Sequence, residues 1–149
     1  MSKSQFFEHY HPYIIGVIIA SVCYRFGFVL PSDNAFFASS LTIGAILSGF
    51  MATSKAILMT LNTPVMERIR DTGYLDDLVS FLKSALWSGL FFSIFSLAGY
   101  FLDGIQESNK ENIRFYYGLI WVFLGVVATL TFIRMTNIML TILSYPPNR

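Results

Sequence analysis

Four apolar stretches, residues 13–30, 35–61, 85–102 and 115–143, take up most of a chain of 149 residues. Each reaches or approaches the roughly 18 to 20 residues that cross a hydrocarbon core of ~30 Å at ~1.5 Å per residue. A soluble domain of this size has too little interior to cover so much apolar side chain. The composition says the same, with 54% hydrophobic and 13% charged residues and a mean hydropathy of +0.58. The expected fold is all-α, one polytopic membrane domain that forms a homo-oligomer in the bilayer. Its four transmembrane helices are expected over about 13–31, 35–56, 84–102 and 115–134, with a short cytoplasmic helical segment over 57–83 and a C-terminal extension over 135–149.

Lys3 is the only base before the first stretch, and no small-x-small cleavage pattern follows it before Pro31, so it reads as an uncleaved helix rather than a signal peptide. Cys23 is the single cysteine, which excludes an intrachain disulfide or a cysteine-based metal cluster. Orientation then follows from charge. With four spans, Lys3, Lys55, Arg68, Arg70, Lys83, Arg134 and Arg149 share one side, against Lys110 and Arg114 on the other. That imbalance predicts both termini in the cytoplasm. A net charge of +1 gives no electrostatic reason to expect direct nucleic-acid binding.

Charges also measure the spans. From Ala35 to Lys55, from Lys83 to Asp103 and from Arg114 to Arg134 the interval is 20 residues each time, or ~30 Å of helix. Lys55 and Arg134 are therefore expected at the cytoplasmic interface, where long basic side chains reach headgroups. Apolar sequence continues past both, as "AILMTL" (56–61) and "MTNIMLTIL" (135–143), and needs something to pack against. The intervening segment supplies it: Thr63 is placed to cap a helix with Pro64 at its first position, and Leu75, Leu78, Val79, Leu82 and Leu86 recur at helical spacing.

No metalloprotease motif, phosphate-binding glycine loop or Ser/His/Asp set is present, so neither an enzyme nor a cofactor is expected. His9 and His11 in "FEHYHPY" stand beside Glu8; interfacial anchoring is the default reading, and a metal site the alternative. The second stretch carries two stripes. Ala38, Thr42, Ala45, Gly49, Ala52 and Ala56 alternate steps of four and three, a small-residue face that permits close helix contact in lipid. Beside it lie Ser40, Gly44, Ser48, Met51 and Lys55, a mildly polar face ending in a cation. Either face is explained by packing within one chain. In a ring of copies, the polar face instead becomes a pore lining whose inner mouth carries Lys55 and Arg134.

Arg25 is not placed at a boundary by this count, since it precedes Asp33 by eight residues, or ~12 Å of helix. A charge within a span is a gating candidate unless it snorkels or pairs. In the fourth stretch Gly118 and Gly125, one heptad apart, form a second possible contact between copies, while Tyr116, Tyr117 and Trp121 suit the outer interface and Trp87 the inner one.

At "RIRDTGYLDDLVSFLKSAL" the chain resembles the small four-span bacterial inner-membrane proteins of phage-defence operons, the RexB-like exclusion membrane proteins. The shared features are the length, the four spans and the run Arg70, Asp71, Gly73, Tyr74 before the third span. The resemblance implies an effector that opens an ion-conducting path when a cytosolic partner, encoded nearby, senses infection. Related defence proteins use the membrane subunit as a non-conducting sensor or scaffold for a cytosolic effector, which is the alternative here. In both, Arg68, Arg70, Asp71, Tyr74, Asp76 and Asp77 are the docking candidates.

Overall fold

The computed structural model describes residues 3–31, 33–60, 74–101 and 107–144, and side chains within 10–31, 33–60, 78–101 and 111–142. The described residues are all-helical: α1 (Lys3–Arg25), α2 (Asn34–Thr60), α3 (Tyr74–Gly99) and α4 (Glu107–Ser144). Three segments are long and apolar enough to cross a membrane: Asn34–Thr60, Leu78–Gly99 and Glu111–Ile142.

The boundary between α1 and α2 is set by local chemistry. Gly27 has φ +64°, the left-handed conformation that a Cβ disfavours. The Phe28 amide donates to the Cys23 carbonyl at 3.0 Å and the Gly27 amide to Tyr24 at 3.2 Å, the paired bonds of a Schellman stop. A few residues later Asp33 opens α2, its carboxylate oxygen accepting from the Ala35 amide at 2.9 Å. Between the two helices Leu30 turns inward and is buried against Gly118.

Neighbouring helices run antiparallel. Along α2 and α3, Phe37 meets Gly99, Gly44 meets Ser93, and Ser48 meets Gly89. Along α3 and α4, Ser96 meets Trp121, Phe92 meets Gly125, and Ser88 meets Thr131. α1 lies along α4, with Gly16 on Phe123 and Val127, and Tyr24 on Phe115. The order across the molecule is thus α1, α4, α3, α2, with α2 and α4 touching only slightly. It is an open row of helices rather than a closed four-helix ring.

Near the Lys55 end the apolar continuations of α2 and α4 stay helical and pack on the start of α3. Met51, Leu58, Leu78, Leu82, Ala85, Met135 and Met139 form one buried cluster there. Unbranched Met side chains fill the irregular space between three helix surfaces. The helix start expected at Thr63 and Pro64 lies outside the described residues.

Because Gly27 alone supplies the left-handed residue of the α1 stop, Gly27→Ala is expected to destabilise the fold by roughly 1–2 kcal/mol. Asp33→Ala is expected to cost about 1 kcal/mol through the lost cap. Equilibrium unfolding in detergent micelles measures both, and unchanged midpoints would show that neither device fixes the turn.

Candidate functional site

Lipid cannot hydrogen-bond a hydroxyl, so each serine or threonine on these helices has to find its partner within the protein. On α2 they bond back to the carbonyl one turn earlier: Ser40 to Phe36 at 2.8 Å and Ser48 to Gly44 at 2.9 Å. Thr42 and Thr53 do the same, to Ala38 and Gly49. The hydroxyls thereby stop competing for partners and behave as small packing groups.

Ser40, Gly44, Ser48 and Met51 turn toward α3. A Cβ at Gly44 would collide with the Ser93 hydroxyl, and one at Gly89 would come within 2.8 Å of Ser48 Oγ. Ser40 is buried beside Phe92, and Met51 is 0% exposed within the apolar cluster. Within one chain this face is therefore filled by α3 and encloses no conduit. The expectation that it lines a pore gives way, at the level of the single chain, to tight interhelix packing.

The other stripe turns the opposite way. Ala38, Thr42, Ala45, Gly49, Ala52 and Ala56 are all exposed, and nothing lies within 4 Å of where a Gly49 Cβ would stand. Gly118 and Gly125, grouped by sequence as a contact between copies, are occupied inside the chain instead. Leu30 covers the first, and a Cβ on the second would come within 3.0 Å of Phe92.

The cations fall into two levels. Lys55 lies seven residues beyond Ser48, and Lys83 six residues before Gly89 on its antiparallel neighbour. The Arg134 guanidinium sits over the Phe81 ring, 4.0 Å from its centroid and two residues from Lys83. All three bases thus share one level to within about a helical turn. Lys83 is exposed, while Lys55 and Arg134 are half-buried. His11 is exposed at the N-terminal end of α1, and among the described residues no three His, Cys, Asp or Glu side chains gather as a metal site would require.

The eight residues from Arg25 to Asp33 do not measure helix, because α1 stops at Arg25 and the chain turns through Leu30. Tyr24 packs on Phe115 with ring centroids 5.7 Å apart, so Arg25 is exposed at the level of Arg114.

Sequence reasoning missed the seam between α3 and α4. Trp121 Nε1 donates to Ser96 Oγ at 3.1 Å, Ser88 and Thr131 hydroxyls lie 2.8 Å apart, and Tyr117 donates to the Phe95 carbonyl while its ring stacks on Phe95 at 4.4 Å. Tyr117 and Trp121 therefore face α3 rather than standing free at an interface. Toward the Lys83 end the seam extends to α1, where Tyr13 and Ser84 hydroxyls meet at 3.1 Å. Its legible signal is the recurrence of Ser84, Ser88 and Ser96 along one apolar run. Where α2 and α4 diverge, an apolar groove of about 490 Å³ opens sideways over Phe92, flanked by Phe36, Ile43, Trp121 and Val126. The docking candidates Arg68, Arg70 and Asp71 lie outside the described residues, as do the side chains of Tyr74, Asp76 and Asp77.

Two measurements probe this arrangement. A double-mutant cycle of Ser88→Ala and Thr131→Val is expected to give a coupling near 0.6 kcal/mol, the average for interhelix hydrogen bonds in membranes. In a Cys23→Ser background, Ser40→Cys and Ser48→Cys are expected to resist a membrane-impermeant thiol reagent; rapid modification would instead reveal a water-lined face.

No family model, curated protein or solved structure matches this chain.

Proposed function

We propose that this protein is a membrane effector of anti-phage defence that works as a homo-oligomer, its copies meeting along the outward face of α2 and conducting ions between them. Gly49 carries the reading. A glycine inside a helix costs roughly 0.5–1 kcal/mol relative to alanine. Gly16, Gly44, Gly89, Gly99, Gly118 and Gly125 each admit a neighbour that a Cβ would crowd, whereas Gly49 has empty space before it. A close approach from outside the chain gives Gly49 the role that its own neighbours do not.

The surrounding pattern supports that role. Ala38 and Thr42, Ala45 and Gly49, and Ala52 and Ala56 are small pairs four residues apart, repeated every seven. Small pairs of this spacing let helices pack closely in lipid, and a strict seven-residue repeat favours a left-handed supercoil. Copies inserted with the same orientation bring their α2 helices together in parallel. In this reading α1 is the fourth span, both termini are cytoplasmic, and the conduit lies at the junction between copies, with Lys55 on its inner flank.

The defence context rests on the resemblance at Arg70, Asp71, Gly73 and Tyr74, and a cytosolic partner is expected to dock on that segment. The second reading is a non-conducting scaffold that recruits a soluble effector through Arg68, Arg70, Asp71, Tyr74, Asp76 and Asp77. The observation in its favour is the burial of Ser40, Gly44 and Met51, with Ser48 half-buried beside them, the face from which conduction was first expected.

Mass in nanodiscs and ion flux in liposomes separate these outcomes. Wild-type protein is expected to be oligomeric, and Gly49→Leu to shift it toward the monomer with an unchanged unfolding midpoint, since the side chain enters open space in the single chain. Gly44→Leu, by contrast, is expected to unfold the α2–α3 contact itself. Lys55→Glu is expected to move the ion preference of the conducting assembly toward cations. An oligomer silent even with its partner present would leave the scaffold, and a monomeric wild type would overturn both readings.

A further inference from the structure

We draw no further inference here: the strongest candidate, the apolar lateral groove of about 490 Å³ between α2 and α4 over Phe92, is an unpartnered face, and nothing in the structure shows whether lipid or a second copy covers it.

Discussion

Apolar side chains gain nothing from leaving one hydrocarbon environment for another, so helices in lipid hold together where their backbones come close enough for dense van der Waals contact. The approach of α2 to α3 is the interaction on which this architecture depends. Gly44 and Gly89 are reciprocal: each removes a side chain where the other helix brings a serine, Ser93 against Gly44 and Ser48 against Gly89. Each of those serines is bonded within its own helix, so the contact buries no unsatisfied hydroxyl. The α3–α4 contact uses different means, aromatic rings and hydroxyl pairs, because Phe92, Phe95, Tyr117 and Trp121 are too large for equally close backbones.

The two contacts lie on adjoining faces of α3, with Phe92 touching both neighbours; α2 and α4 meet each other only through side chains, Phe36 on Trp121 and Phe50 on Phe132, and a groove remains over Phe92. The same arrangement assigns the two stripes of α2. The face carrying glycine and serine opposite the α3 glycine is consumed within the chain, and the alanine-rich face is left for whatever lies beside it.

Charge placement follows the helix ends. Lys55, Lys83 and Arg134 come to one level through the register of the two antiparallel contacts, Ser48 opposite Gly89 and Ser88 opposite Thr131. Arg134 rests on the Phe81 face, an arrangement that shields a guanidinium from apolar surroundings while it remains half-buried. At the other end α1 stops at Arg25 in a Schellman turn through Gly27, and the contact of Tyr24 with Phe115 puts Arg25 at the level of Arg114.

Much of this was legible in the sequence because it depends on short-range rules. Apolar run length gave the helices, and the 20-residue intervals ending at Lys55, Lys83 and Arg134 gave the three bases a common level. The continuation of α2 and α4 beyond those bases could also be read from unbroken apolar periodicity. What the sequence could not decide was which face of a helix meets which neighbour. Ser40, Gly44 and Ser48 read equally well as a pore lining or a packing face, since helical periodicity groups residues without naming what lies opposite them. The position of Ser93 and Gly89 across the α2–α3 contact shows what lies opposite that face within one chain. The place of Arg25 could not be counted for a related reason: counting residues to Asp33 assumes a straight helix, and α1 stops at Arg25.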